Sequence, residues 1–140
     1  MACFLFWNVR GIGNEASIAR LKRIVRKHSI CLIALLEPLV GHDATSSSVL
    51  SLGFGGALAN TSGKIWILWS KGVVFHPVFD SDQLLSVACY LPSLSSSFLF
   101  SAVYAMCDRI ERQSLWADIH SLSDLGFSVS VLGGDINVVA

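Results

Sequence analysis

Charge is scarce in this chain. Of its 140 residues only 14% are charged, and ten basic residues balance ten acidic ones, so the formal net charge is zero. Proline occurs three times, whereas hydrophobic residues make up 53% of the chain. The balanced charge excludes the strong overall field of a highly basic nucleic-acid-binding protein, and the hydrophobic content excludes a disordered chain. The composition therefore indicates one globular domain over residues 1–140 with a large buried core.

Cysteine is also scarce, and its spacing does not indicate a metal site. The four cysteines lie in or next to apolar segments, and none belongs to a Cys-x-x-Cys pair. This pattern predicts reduced thiols in an intracellular protein and no zinc site. No basic segment precedes the first apolar run, and turn residues interrupt every apolar stretch that approaches the roughly 20 residues a membrane span needs. We therefore expect neither a signal peptide nor a transmembrane segment.

The apolar runs predict a series of strands with two helices. Short runs rich in branched and aromatic residues predict strands. Helical spacing of apolar residues follows Asn14 and again follows Asp108, and each of these two residues is predicted to be the N-cap of a helix. The order is strand, helix, strand, then several strands without helices, then helix and strand, which is typical of a mixed α/β sandwich. The predicted strands are residues 2–7, 30–36, 55–60, 64–70, 73–79, 84–91, 98–104 and 127–132.

Polar side chains that can bind metal or phosphate follow three of these strands. Asn8 ends the first strand and Glu37 ends the second, where Pro38 favours an extended conformation for Glu37. Asp135 and Asn137 follow the last strand in the run Gly-Gly-Asp-Ile-Asn. Because the carboxyl ends of strands form the ligand crevice of α/β sheets, these side chains should converge if the strands share a direction. Since Mg²⁺ prefers oxygen ligands, the pattern predicts metal-dependent phosphoester chemistry at a sheet edge.

Six basic residues near the N-terminus form the densest charge cluster of the sequence. A solvated helix face explains such a run, and so does a surface that faces phosphate groups, and both interpretations stay open here. The six residues are Arg10, Arg20, Lys22, Arg23, Arg26 and Lys27.

These motifs resemble the endonuclease/exonuclease/phosphatase superfamily, and most closely the endonuclease domain of plant LINE-type (non-LTR) retrotransposons. Arg10 stands where some branches of the superfamily carry Asp, and Ile136 stands where Phe is more usual. The resemblance rests on segments in the same order along the chain: Trp7-Asn8-Val9-Arg10-Gly11, Leu36-Glu37-Pro38, Gly63-Lys64-Ile65-Trp66, Val103-Tyr104-Ala105, Glu111-Arg112 with Leu115-Trp116, and Gly133-Gly134-Asp135-Ile136-Asn137.

The resemblance implies a two-sheet α/β sandwich with helices outside, and Mg²⁺- or Mn²⁺-dependent cleavage of DNA phosphodiesters. By matching motif, Asn8 and Glu37 would lie at the metal, and Tyr104 would contact the scissile phosphate. Asp135 would position the attacking water, and Asn137 would support that water and the phosphate. The residues expected to contact DNA are Arg10, Lys22, Arg23 and Lys64.

The family domain also has a downstream half that ends in an Asp-His pair, which these 140 residues do not include. The resemblance therefore implies a truncated, N-terminal portion of the domain, with weak or no nuclease activity of its own. It also implies exposed sheet surface through which another chain could associate, and a nuclear location for an active element. Two other functions stay open: a phosphatase acting on a small phosphoester, and a remnant that binds nucleic acid without cleaving it or has no function.

Overall fold

A computed structural model describes residues 2–41 and 51–138. Within these residues the elements follow the predicted order, with one helix between the first two strands and another before the last strand. They are β1 (Cys3–Asn8), α1 (Glu15–His28), β2 (Ile30–Leu36), β3 (Gly56–Ala59), β4 (Ile65–Trp69), β5 (Val74–Asp80), β6 (Leu84–Tyr90), β7 (Phe98–Tyr104), α2 (Arg112–Leu122), a 3₁₀ turn (Ser123–Leu125) and β8 (Ser130–Asp135).

The strands form two four-stranded sheets. Sheet A has the order β1-β2-β4-β3, and sheet B has the order β5-β6-β7-β8. The pairs β1–β2 and β7–β8 are parallel, whereas the remaining pairs are antiparallel. Strands β1 and β8 are the edge strands of their sheets and contact each other across the sandwich. The carboxyl ends of two parallel pairs therefore lie near one another.

An apolar core joins the two sheets face to face. Alternate residues of the central strands point inward, as the period of a strand requires, and many are fully buried. Aromatic rings from the edge strand β1 pack against this core. Phe4 stacks on Phe98 with ring centroids 5.4 Å apart, and Phe6 stacks on Phe100 at 4.9 Å. The edge strand β1 is thus held to sheet B by its side chains.

The helices α1 and α2 lie on the outer faces of sheet A and sheet B. Leu21 of α1 is buried against sheet A, and Leu115 and Leu122 of α2 are buried against sheet B. The Asn14 side chain caps α1 by accepting a hydrogen bond from the Ser17 backbone N–H at 2.8 Å. The fold class predicted from the sequence, a two-sheet α/β sandwich with helices outside, is confirmed. Neither described helix has the length and hydropathy that a bilayer crossing requires.

The last strand begins later than the sequence pattern predicts. We expected it at residues 127–132, but β8 spans Ser130–Asp135 and therefore includes both glycines and the carboxylate. The physical reason is the close approach of two backbones. Gly134 has a φ of 144°, and a Cβ built on it would lie 2.0 Å from the Val103 carbonyl oxygen. Glycine thus lets the strand continue beside β7 to Asp135.

Two local predictions are also corrected. Glu37 is not extended, because its φ is +56°. Its backbone N–H donates to the Lys64 carbonyl and its carbonyl accepts from Gly11 N–H, both at 2.8 Å, and these bonds hold the unusual conformation. Asp108 caps a turn that precedes α2, because its carboxylate accepts hydrogen bonds from the backbone N–H groups of Ile110 and Glu111. The helix itself begins at Arg112.

Candidate active site

The candidate site lies between the two sheets. Asn8 and Leu36 are register partners at the ends of β1 and β2, and Glu37 follows directly. Tyr104 and Asp135 are register partners at the ends of β7 and β8. The sequence predicted a site at one edge of a single sheet. The parallel pairs instead belong to different sheets, and the side chains meet because the sheets are stacked with these ends on the same side.

Hydrogen bonds to Asp135 connect the sheets. Asn8 Nδ2 donates to Asp135 Oδ2 at 2.8 Å, and the Asn137 backbone N–H donates to Asp135 Oδ1 at 3.0 Å. An ionised carboxylate only accepts hydrogen bonds, so the amide nitrogen of Asn8 must face it. Both carboxylate oxygens are therefore held by donors, which fixes the direction of the carboxylate in the cleft.

The amide oxygen of Asn8 has no hydrogen-bond partner. It is buried, and it is the one buried side-chain oxygen or nitrogen in residues 2–41 and 51–138 that lacks a partner. Buried polar atoms are normally satisfied, so an orphaned carboxamide oxygen indicates a missing ligand. Amide and carboxylate oxygens are ligands that Mg²⁺ and Mn²⁺ accept. Asn8 ends β1 and Glu37 directly follows the adjacent parallel strand β2, so an amide oxygen and a carboxylate of the kinds that a divalent cation accepts lie at neighbouring strand ends.

The donor set is poor in carboxylates. The described ranges contain no group of three or more His, Cys, Asp or Glu side chains placed to hold a metal ion. This set does not suit Zn²⁺, which takes nitrogen and sulfur ligands in structural sites. It suits Mg²⁺, which uses one or two carboxylates and retains water or binds substrate phosphate at its other positions.

Tyr104 lies where both carboxylates act on it. Burial raises the pKa of its hydroxyl above the ordinary value, and the negative charges of Glu37 and then Asp135 raise the pKa further. The Lys64 ammonium lies 5.5 Å from the centre of the Tyr104 ring. Tyr104 is thus a neutral hydrogen-bond donor at physiological pH, with a cation beside its ring.

Asn137 is held in a left-handed conformation at the end of the site. Its φ is +48°, and its side-chain nitrogen donates to the Ala105 carbonyl at 2.6 Å. The Ala105 backbone N–H in turn donates to the Asp135 carbonyl at 2.9 Å. The amide nitrogen of Asn137 therefore binds backbone, and it is the backbone N–H of this residue that supports Asp135.

Sequence reasoning gave Arg112 no role. Its Nη1 atom contacts the carbonyl oxygens of Met106, Cys107 and Asn137 at 2.9, 2.6 and 3.2 Å. The signal was present, because Arg112 belongs to one of the segments that carry the family resemblance. Its distance in sequence from the other motifs hid the contact with Asn137.

Of these groups, Asn8, Asp135, Asn137 and Arg112 border an open cleft of about 750 Å³. Arg10 and Arg112 bring positive charge to its lining, beside Asn8, Asp135 and Asn137. Glu37 and Lys64 line a second recess together. Lys22 and Arg23 line neither cavity and lie on α1, which covers the outer face of sheet A.

Backbone strain is concentrated around the same two cavities. In the described part of the chain five non-glycine residues have positive φ, and four of them line these cavities, the exception being the C-cap of α1. Such conformations cost about 1–3 kcal/mol each and cluster at functional sites. The four residues are Arg10, Glu37, Leu39 and Asn137.

Comparison by sequence finds no relative. No protein-family model matches the chain. No curated protein matches it either.

Comparison by structure finds clear neighbours. The endonuclease domain of TRAS1, a telomere-specific non-LTR retrotransposon, superposes with a TM-score of 0.69 at 16% identity over 98% of this chain. An endonuclease/exonuclease/phosphatase family protein from Bacteroides thetaiotaomicron gives 0.70 at 15% identity over 96%. TDP2 from Caenorhabditis elegans gives 0.64 at 15% identity over 95%.

The chain spans only part of each neighbour. It covers 59% of the TRAS1 domain, 62% of the Bacteroides protein and 46% of TDP2. At these identities the likeness establishes architecture, and the two-sheet sandwich agrees with it throughout the described residues. The chain therefore has the endonuclease/exonuclease/phosphatase fold.

Proposed function

We propose that the cleft is part of the active site of a divalent-metal-dependent hydrolase that cleaves DNA phosphodiesters, of the kind found in non-LTR retrotransposons. The observation that carries the proposal is the meeting of Asn8, Glu37, Tyr104 and Asp135 at the ends of two parallel strand pairs, with the amide oxygen of Asn8 left without a partner. One of the structural neighbours is an endonuclease domain of such an element.

Glu37 and the Asn8 amide oxygen are the groups that would hold Mg²⁺ or Mn²⁺. The bound cation would neutralise charge on the phosphoryl oxygens. Asp135 is suited to orient a water molecule and accept its proton, because two donors fix its carboxylate and leave lone pairs toward the cleft. Tyr104, kept neutral by its raised pKa, is suited to donate a hydrogen bond to a phosphate oxygen.

The charges around the cleft favour a polyanionic substrate. Arg10 lines the cleft and is exposed, and Lys64 is exposed beside Tyr104. Lys22 and Arg23 would extend a phosphate-binding surface along α1. The cleft is open, which suits a polymer better than a small phosphoester. We therefore place a phosphatase function second.

Residues 1–140 alone are expected to bind metal and DNA but to cleave slowly or not at all. The chain covers about three fifths of the TRAS1 domain, so residues that the neighbour places beyond this region have no counterpart in it. Groups of an active site that act as a unit lose activity together when some are absent.

Metal binding is the first test of the proposal. Mn²⁺ titration followed by electron paramagnetic resonance should reveal one bound ion per chain, competed by Mg²⁺. Glu37→Gln should weaken this binding at least about tenfold, because it removes the carboxylate proposed to hold the ion together with the Asn8 amide oxygen. Asp124→Asn, which neutralises an exposed carboxylate on the 3₁₀ turn, is the matched control and should change nothing. Equal binding by the wild type and Glu37→Gln would reject the metal site.

Cleavage is the second test. Supercoiled plasmid should be nicked slowly or not at all in Mg²⁺, with any nicking lost in EDTA and in Asp135→Asn. Phosphate release from inositol phosphates, measured in parallel, should be absent. Release of phosphate that depends on Asp135, without nicking, would favour the phosphatase, and rapid nicking would contradict the expectation of weak activity for residues 1–140.

A further inference from the structure

The guanidinium of Arg112 binds backbone rather than a side chain. A single nitrogen, Nη1, is shared among three carbonyl oxygens at 2.6–3.2 Å. Hydrogen bonds from a charged donor are roughly twice as strong as neutral ones, so this arrangement is a strong local constraint. Arg112 also lines the wall of the cleft.

The three carbonyls come from two segments that matter for the site. Met106 and Cys107 follow β7 and therefore follow Tyr104, whereas Asn137 follows β8 and Asp135. Arg112 is the first residue of α2, an element packed on the outer face of sheet B. It therefore ties the ends of β7 and β8 to a rigid helix.

The Asn137 end needs such a tie. Its left-handed backbone is a conformation that residues with a Cβ adopt rarely and asparagine adopts more readily than most, so it depends on local hydrogen bonds. Asn137 keeps this conformation through its N–H to Asp135, its side chain to Ala105 and its carbonyl to Arg112. Since the N–H of Asn137 directs the Asp135 carboxylate, a shift of this turn would turn the carboxylate as well.

The segment that precedes Arg112 is itself held by hydrogen bonds to the buried side chain of Gln83. Gln83 is 6% exposed, its side-chain oxygen accepts from Met106 N–H at 2.7 Å, and its side-chain nitrogen donates to the Glu111 carbonyl at 2.9 Å. The backbone at both ends of the segment that precedes the arginine, residues 106–111, is therefore held by one buried amide. Arg112 is thus presented in a defined position before any ligand binds.

We propose that Arg112 is a positioning residue that sets the Asp135–Asn137 turn against the end of β7, and so fixes the direction of the Asp135 carboxylate. Its meaning for hydrolysis rests on the function proposed above, but the positioning itself does not. The proposal assigns a role to a residue that lies in none of the strand-end motifs.

Nuclear magnetic resonance tests the positioning directly. In ¹⁵N-labelled protein the side-chain amide signals of Asn137 are identified by their loss in Asn137→Asp. Arg112→Gln should shift these signals and the Asn137 backbone amide signal and speed their exchange with solvent. The side-chain signals of Asn14, which caps α1 on the outer face of sheet A, should stay in place. A loss of global stability alone would not move native-state signals of one turn.

The control for this test is Arg109→Gln, which removes an exposed charge three residues away in the same loop. It should leave the Asn137 signals unchanged. Where Arg112→Gln does not give a native spectrum, Arg112→Lys takes its place, and the same signals should shift by a smaller amount. Unchanged Asn137 signals in the Arg112 variant, or equal shifts in the Arg109 control, would overturn the proposal.

Binding of a short DNA duplex in Ca²⁺ then links the turn to function. Arg112→Gln and Asn137→Ala should each weaken binding roughly tenfold, and the double variant should lose no more than either single variant, because both disturb the same turn. Additive losses would contradict the proposal. If the wild type binds no DNA while the Asn137 signals shift as expected, the proposed function fails and the positioning role stands.

Discussion

At the scale of single residues, Tyr104 carries the clearest electrostatic signature of the site. Its hydroxyl is partly buried and feels the negative charges of Glu37 and Asp135, and each of these effects favours the neutral form. Proton binding is therefore tighter in the folded chain than in the unfolded one. The stability that this group contributes is complete below pH of about 10, the pKa of a free tyrosine, and is lost as pH rises through the higher folded pKa.

Glu37→Gln should lower the pKa of Tyr104 toward its ordinary value without restoring it fully, since burial is the larger cause of the shift. The measurement is the ultraviolet absorbance of tyrosinate during an alkaline titration. Subtracting the curve of Tyr104→Phe isolates this residue from Tyr90, the other tyrosine of the chain. Asp124→Asn is the control, and an equal shift in that variant would mean that the local charge of Glu37 is not the cause.

Gly134→Ala should lower the free energy of unfolding by about 2–4 kcal/mol, because the new methyl group would overlap the Val103 backbone and the positive φ disfavours alanine. Urea denaturation followed by tryptophan fluorescence measures this. The control is Gly41→Ala, where a Cβ meets no atom within 4 Å, and a change of only about 0.5 kcal/mol or less is expected. A wild-type stability in Gly134→Ala would show that β7 and β8 are not paired at this point.

At the scale of elements, β8 is the edge strand of sheet B that ends at the site. It pairs on one side only, with β7, as β5 does with β6 at the opposite edge, and its side chains alternate between half-buried and exposed. Leu132 is 51% exposed, and Ile136 just beyond the strand is 50% exposed. An edge strand with apolar side chains and unpaired backbone groups is a place where another strand can add.

We therefore expect residues 1–140 to associate as concentration rises, and Leu132→Lys to suppress this association. A lysine on an edge strand opposes association, because its charge would have to lose water when another strand paired there. Sedimentation velocity over a range of concentrations measures the effect. The matched control is Leu125→Lys on the 3₁₀ turn, where the leucine is 49% exposed, and it should associate as the wild type does. Equal suppression by both variants would point to net charge instead of the β8 edge.

At the scale of the whole molecule, the site depends on two sheets that must stack correctly. Glu37 and Asn8 belong to sheet A, and Asp135 belongs to sheet B. The hydrogen bond from Asn8 to Asp135 and the stacked rings of Phe6 and Phe100 join the sheets near the cleft. A cation held at the cleft would therefore stabilise the packing of the entire domain.

Mg²⁺ should raise the melting temperature of the chain. With a dissociation constant of about 1 mM, about 10 mM Mg²⁺ would stabilise the fold by about 1.4 kcal/mol, which corresponds to a shift of about 4 °C. Near-ultraviolet circular dichroism of the four tryptophans follows the melt. Glu37→Gln should abolish the shift, whereas Asp124→Asn should keep it. A shift that persists in Glu37→Gln would place the cation elsewhere.

Local structure was largely predictable because it depends on neighbours in sequence. Alternating and continuous apolar runs predicted the strands, and Asn14 predicted the start of α1, where its side chain indeed accepts the capping hydrogen bond. The errors arose where a distant contact decides the conformation. Glu37 is left-handed because its backbone bonds to residues of two other segments, and β8 extends to Asp135 because glycine admits the β7 backbone.

The sequence by itself determined the order of the elements and which polar residues follow or end three of the strands, and hence which polar groups were available to a site. Only the tertiary structure decided that Asn8 and Asp135 meet across two sheets, that the Asn8 amide oxygen is left without a partner, and that Arg112 binds the turn at Asn137. The reason is physical: periodicity and capping act within a few residues, whereas the distance between two strand ends is set by how the sheets pack, to which most of the buried core contributes.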